Sequence, residues 1–100
     1  MLSVSSLRAS PAPVRRKTTI GFKLSRAAVV TVTIAHRGGK VVRHLPKTHY
    51  RHAGRKRLTW RRRNDHMRSV PRGLYTITVN AVDSRGERVQ TVRVIRVRRR

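Results

Sequence analysis

The stretch LYTITVNAV, residues 74–82, puts Tyr75, Ile77, Val79 and Ala81 on one side and Leu74, Thr76, Thr78, Asn80 and Val82 on the other. Alternation of this kind marks a half-buried strand, because successive side chains of an extended backbone point to opposite faces. The same period of two recurs along the chain, and no window of 11 residues carries the i, i+3, i+4 spacing of an amphipathic helix. A chain patterned in this way has to bury its apolar faces sheet against sheet.

The spacing predicts further strands over residues 18–25, where Ile20, Phe22 and Leu24 share a face, and over 27–36, where Val30, Val32 and Ile34 do. Gly38-Gly39 can supply the positive φ of a tight hairpin turn into a return strand at 40–45. A short strand is expected at 56–60, with Leu58 and Trp60 on one face, and the last at 87–98. In that last strand Val92 and Val94 share a face but Ile95 and Val97 lie on the other, so a β-bulge is expected near Val94. The polar stretches PKTHYRHAGR and RRRNDHMRSVPRG read as long loops. An edge-strand candidate at 2–8 precedes the strand-breaking SPAP. The expected fold is an all-β, immunoglobulin-like antiparallel β-sandwich of about seven strands. Residues 1–17 are read as an N-terminal edge strand with a Pro-containing basic linker, and 18–100 as the sandwich domain.

Twenty-six Lys and Arg stand against three acids, Asp65, Asp83 and Glu87, for a net charge of +23. Such a surface repels itself and attracts polyanions: nucleic acid, anionic headgroups or acidic wall polymers. Arginine dominates, which suits bidentate phosphate contacts and equally follows from a GC-rich coding sequence. There is no cysteine, hence no disulfide framework or thiolate metal site. No apolar run approaches the ~18 residues of a transmembrane helix. The opening MLSVSSLRASPAPVRRK lacks the charged-then-apolar layout of a signal peptide. The expectation is therefore either a cytoplasmic protein or a piece of a longer exported chain.

The order of motifs, from the strand ending Leu24-Ser25 through GGKVVRHL, AG, LTW, VPRGLY and VNAVDSRG, resembles the immunoglobulin-like domain of the FlgD (flagellar hook-capping) type, over about residues 18–97. The matching positions include Gly39, Val42, Arg43, Leu45, Ala53, Gly54, Leu58 and Trp60, then Val70, Pro71, Gly73, Tyr75, Ala81, Asp83 and Gly86. Physical reasons stand beside the resemblance. Phe22, Trp60 and Tyr75 are the largest core candidates. Gly73 and Gly86 suit turns with positive φ. Asp83 can accept bonds from its own turn. The sequence departs from the family pattern after Trp60, where Arg61-Arg62 replaces Asp-Gly, and further on, where Asn64 and Met67 stand for an acid and a glycine. A differently shaped and basic loop is expected there. The resemblance implies a non-catalytic docking module in an extracellular or envelope protein, in a setting such as flagellar hook assembly.

With three acids, two of them at turns, acid–base chemistry has almost no carboxylates to draw on. The serines lack a nucleophile-elbow context. His44, His49, His52 and His66 cluster in sequence, but without thiolates or a ring of acceptors they read as exposed loop side chains rather than metal ligands. No catalytic residue, metal or cofactor is expected. The candidate polyanion contacts are Arg51, Arg55, Lys56, Arg57, Arg61, Arg62, Arg63, Arg68, Arg98, Arg99 and Arg100, with Arg15, Arg16 and Lys17 forming a further basic patch. A base-stacking platform needs exposed rings, and with three of the four aromatics assigned to the core only Tyr50 remains for it. The alternatives that remain open are a protein neighbour engaged through a sheet edge or loops, an anionic polymer held by charge, and nonspecific binding of RNA or DNA by a cytoplasmic protein.

Overall fold

The computed structural model describes residues 1–37 and 39–98. Eight strands follow in order: β1 Val4–Ser10, β2 Thr18–Leu24, β3 Ala28–His36, β4 Val41–His44, β5 Thr48–Tyr50, β6 Gly54–Trp60, β7 Gly73–Val82 and β8 Arg88–Val97. They form two antiparallel sheets. One has the order β1-β2-β6 and the other β4-β3-β7-β8, with β5 also paired to β3, so that β4 and β5 lie along one edge of β3. The all-β sandwich expected from the alternation is present.

Each sheet turns its apolar parity inward. Ile20, Phe22 and Leu24 of β2 and Trp60 of β6 meet Val30, Val32 and Ile34 of β3 and Tyr75, Ile77, Val79 and Ala81 of β7 in one core. Among the described residues the buried polar or charged side chains are Thr18, Arg62 and Asp83. The core also takes Leu2, Leu7 and Val14 from the first 17 residues. Val14, in the segment read as a linker, is fully buried and pairs with Val97. Its N–H donates to the Arg96 carbonyl at 2.8 Å and its own carbonyl accepts from Arg98 N–H at 2.7 Å.

Two expectations need correction. A strand, β5, runs through the stretch read as the first long loop, where Tyr50 sets its ring edge-on to Phe22. The pairing of β7 with β8 is continuous from Gly73↔Val97 to Val82↔Arg88, so there is no bulge near Val94. Val92 and Val94 instead face solvent, while Val89, Ile95 and Val97 share the inward parity. The register shifts lie elsewhere, in β1 between Ser5 and Arg8 and in β3–β4 between Ile34 and Ala35. Ser6, with φ 55°, is the extra residue that lets both Val4 and Leu7 point inward although they are three apart.

The two sides of the sandwich close differently. On one, β1 is tied to β8: Thr91 Oγ1 donates to the Val4 carbonyl and Arg93 to the Leu7 carbonyl, each at 3.3 Å. On the other, β6 is left as the edge of its sheet. Its outward side chains include Arg55 and Arg57, and charges of this kind discourage edge-to-edge pairing with another copy.

Candidate functional site

Of the predicted core and turn residues, Phe22, Trp60 and Tyr75 are buried. The Trp60 ring lies 5.9 Å from that of Tyr75, and its Nε1–H donates to the Arg63 carbonyl at 2.9 Å. The Tyr75 hydroxyl donates to the Pro71 carbonyl, a tyrosine-corner bond that ties the start of β7 to the chain just before it. Burial raises the Tyr75 pKa, with the nearby Arg62 guanidinium acting in the opposite direction, so the hydroxyl keeps its proton for that bond. Asp83 Oδ1 accepts from Arg85 N–H and Glu87 N–H, both at 2.9 Å, and organises the β7–β8 turn. Gly86 closes that turn at φ 82°, a conformation that side chains with a Cβ rarely adopt.

The three acids all have structural roles. Glu87 accepts from Leu2 N–H at 2.9 Å. Asp83 adds to its turn bonds an ion pair with Arg26 at 3.6 Å. Asp65 Oδ1 accepts from His44 N–H at 2.8 Å, and its Oδ2 lies 2.7 Å from His44 Nδ1. His44 is thus partnered rather than an idle loop histidine. Asp65 titrates below the ordinary aspartate range, first because of the His44 backbone N–H and then because of the His44 ring. A depressed folded-state pKa stabilises the protein above the unfolded value, about 3.9. That contribution is lost as the pH falls from there through the folded value. Asp65→Asn is therefore expected to flatten the acid limb of the stability curve below about pH 4, read from urea midpoints at constant ionic strength. An unchanged acid limb would mean that the Asp65–His44 contact contributes nothing.

The second long loop is compact. Arg63 and Ser69 pair across it, and Asn64 Oδ1 accepts from His66 N–H and Arg68 N–H at 2.9 and 3.1 Å. Asn64 thus supplies the side-chain acceptor at the place where the family pattern has an acid. Arg62 and Met67, at the two places where that pattern has glycine, adopt φ 60° and 61°. Both positions hold a backbone that glycine would suit.

Arg62 is also a corrected site residue. It is 7% exposed, its Nε donates to the Val70 carbonyl at 3.2 Å, and its Nη1 donates to the Arg15 carbonyl at 2.9 Å. It closes the loop and is not available to a polyanion. Lys56 departs from expectation too. Strand alternation puts it on the opposite side from Arg55 and Arg57, where its Nζ sits 5.1 Å from the Tyr50 ring centroid. Tyr50 is half-buried and covered by that cation, so it is not an open stacking platform.

The remaining predicted cations divide by location. Arg55 and Arg57 line one cleft on the outer face of β1-β2-β6, together with Arg8 and Lys23. Arg61 and Arg63 line a second with Arg16 and Lys17. Arg51, Arg68 and Arg98 are exposed but line neither cleft. Arg99 and Arg100 lie outside the described residues, as does Gly38 of the expected hairpin turn. The contribution of Arg8 and Lys23 was not anticipated, although the alternation of β2 already turned Lys23 outward. The centre of the five-stranded sheet's outer face is uncharged by comparison, with Thr33, Thr78 and Val92 in one row and Thr31, Asn80 and Gln90 in the next. Among the described residues no group of three or more His, Asp or Glu is placed to hold a metal. No helix among them is long and apolar enough to cross a membrane.

Two stacked antiparallel sheets, a buried Trp–Tyr pair and a tyrosine corner define an immunoglobulin-like β-sandwich. Within that class, the family model of the FlgD Ig-like domain matches residues 13–86, and the chain belongs to this family. Among solved structures, dimeric latent PorU from Porphyromonas gingivalis aligns with a TM-score of 0.82 at 20% identity, over 100% of this chain and 10% of that one. Truncated FlgD from Helicobacter pylori strain 26695 aligns with a TM-score of 0.66 at 18% identity, over 94% of this chain and 70% of that one. At these identities the likeness is one of fold. No curated protein matches the chain.

Proposed function

We propose that the chain is a non-catalytic docking module of an exported or cell-envelope bacterial protein, and that its basic surface holds anionic polymers while a protein neighbour engages a sheet edge or loop. The observation that carries this reading is the division of labour among charges. The three carboxylates are committed to backbone and side-chain partners that hold turns and termini together. Arg8, Lys23, Arg55 and Arg57 of one cleft and Arg16, Lys17, Arg61 and Arg63 of the other are exposed. A surface built in this way has charge to offer a polyanion and little with which to move a proton. Membership of the FlgD Ig-like family and the likeness of fold to parts of FlgD and PorU support that setting.

Binding of a labelled random-sequence duplex and of labelled dextran sulfate, each at two salt concentrations, tests the reading. Both polymers are expected to bind, without sequence preference in the duplex. If five phosphates are neutralised, log K for the duplex should fall with a slope of roughly −4.5 against log salt. Failure of both polymers to bind near physiological salt would leave the arginines as solvated coating and end the polyanion reading. Sequence-dependent duplex binding would point instead to a nucleic-acid reader.

A further inference from the structure

The sheet register organises the outer face of β1-β2-β6 into rows. Arg8 pairs with Gly21, and Gly21 pairs with Arg57. One row therefore carries an arginine on each flank and no side chain in the middle. With strands ~4.8 Å apart, the two arginines rise from positions about 10 Å apart, across a notch that a tetrahedral oxyanion can enter. In the next row Ser5, Lys23 and Arg55 stand side by side, and in the row on the other side Ser10, Thr19 and Thr59 do. The result is an open cleft of about 350 Å³ with five cations among its lining residues, Arg8, Lys23, Arg55, Lys56 and Arg57, together with hydroxyls and no acid.

The cleft is part of a longer track. Outward positions along β6 and beyond it carry Arg55, Arg57, Arg61 and Arg63, the last two in the second cleft with Arg16 and Lys17. At ~3.3 Å per residue, the extended positions 55 to 60 cover on the order of 16 Å, and Arg61 and Arg63 follow beyond the end of the strand. A strip of that length fits an extended polymer rather than a single small anion. Like charges directly opposite one another, as Lys23 and Arg55 are, destabilise a sheet unless an anion lies between them.

The rest of the face narrows the chemistry of the occupant. No aromatic ring lies open on it, since Phe22 and Trp60 are buried and Tyr50 is covered by Lys56. Bases would find no stacking partner. No apolar side chain projects from its outward positions either, so a peptide would find no anchor pocket. Paired guanidinium groups match the oxygens of phosphate and sulfate, and flanking hydroxyls match sugar hydroxyls.

We propose that this face is a groove for an acidic polysaccharide carrying sulfate or phosphate esters, seated with one ester group over Gly21 between Arg8 and Arg57. The proposal rests on the polyanion reading above and gives it a place and a ligand class.

The test uses the full chain, dextran sulfate, uncharged dextran and a 20-nucleotide single strand as probes, and three variants. Arg8→Ser/Arg57→Ser removes the two flanking arginines. Gly21→Val fills the notch without changing charge. A Cβ at Gly21 would meet the Lys56 carbonyl at 3.8 Å and Arg8 Cγ at 3.9 Å, both ordinary contacts, so the variant is expected to fold. Arg88→Ser/Arg96→Ser removes two charges from the other sheet. The expected result is a loss of dextran sulfate affinity of about tenfold or more for the first variant, severalfold for the second and less than about twofold for the third, following the loss of localised phosphate-type contacts. Uncharged dextran should not bind. Equal losses for the two double variants would overturn the groove while leaving general polyanion binding intact. Single-strand binding tighter than dextran sulfate, and lost in the first variant, would overturn the polysaccharide. Absence of any polyanion binding by the wild type would remove the parent reading as well.

Discussion

Trp60→Ala is expected to lower stability by about 3–5 kcal/mol, the range for emptying a large aromatic site in a packed core. Trp60 stands at the last position of β6, paired with Thr18 at the start of β2, and its ring crosses to Tyr75 on the opposite sheet. The residue thereby joins the two sheets at the end where the long loop leaves. Its loss would open a cavity and free the Arg63 carbonyl that the indole N–H now satisfies. For a domain of this size each kcal/mol moves Tm by about 4–8 °C, so the variant should melt at least about 12 °C lower. Trp60→Phe keeps a ring but loses the N–H donor and some volume, and should cost only about 1–2 kcal/mol. Urea midpoints at fixed salt would check both, since a net charge of +23 makes stability depend on ionic strength. A loss under about 1 kcal/mol for the alanine variant would show that the ring is not a core member and would reopen base stacking.

The fold was legible in the sequence because burial parity is a direct readout of extended backbone. In β2, β3 and β7 every buried side chain stands where alternation places it. The reading failed where apolar character and burial part company. Val92 and Val94 are apolar yet exposed, and treating them as core demanded a bulge that a continuous ladder makes unnecessary. The bulge in β1, at Ser6, sits among serines that carry no parity signal. β5 is three residues long and polar on its outer position, too short for any period to register.

The candidate site was legible as charge but not as shape. Runs such as Arg55-Lys56-Arg57 and Arg61-Arg62-Arg63 look uniform in sequence. Extended backbone sends Lys56 to Tyr50, and the left-handed backbone at Arg62 accompanies its inward turn, while their neighbours face out. The cleft became visible only with the pairing of β1, β2 and β6, because Arg8, Gly21 and Arg57 come from three distant segments and only register sets them in a row. Local periodicity carries no information about which residues become cross-strand neighbours.

Arg62 shows how a residue of the expected binding set can instead hold the loop together. Replacing Arg61 or Arg63, both exposed, with serine should change stability by no more than about 0.5 kcal/mol, as for most surface positions. Arg62→Ala is expected to cost about 2–3 kcal/mol, because it removes two charge-assisted hydrogen bonds and strands the carbonyls they satisfied. Those carbonyls belong to Val70 and Arg15, so the guanidinium links both strands of the loop hairpin to the segment leading into β2. The backbone adds a second, opposite effect. At φ 60° any residue with a Cβ is strained, by roughly 1–2 kcal/mol for the left-handed conformation. Arg62→Gly loses the same hydrogen bonds but relieves that strain, and should be less harmful than the alanine variant by about 1 kcal/mol. The expected order of stability is therefore wild type, then glycine, then alanine. Glycine above wild type would mean that the guanidinium bonds contribute less than the strain they accompany. Alanine equal to glycine would mean that the left-handed backbone is not retained in solution. The predicted order reflects a trade in which the chain accepts a strained arginine where its family pattern has glycine and gains a side-chain clamp on a loop otherwise crowded with like charges.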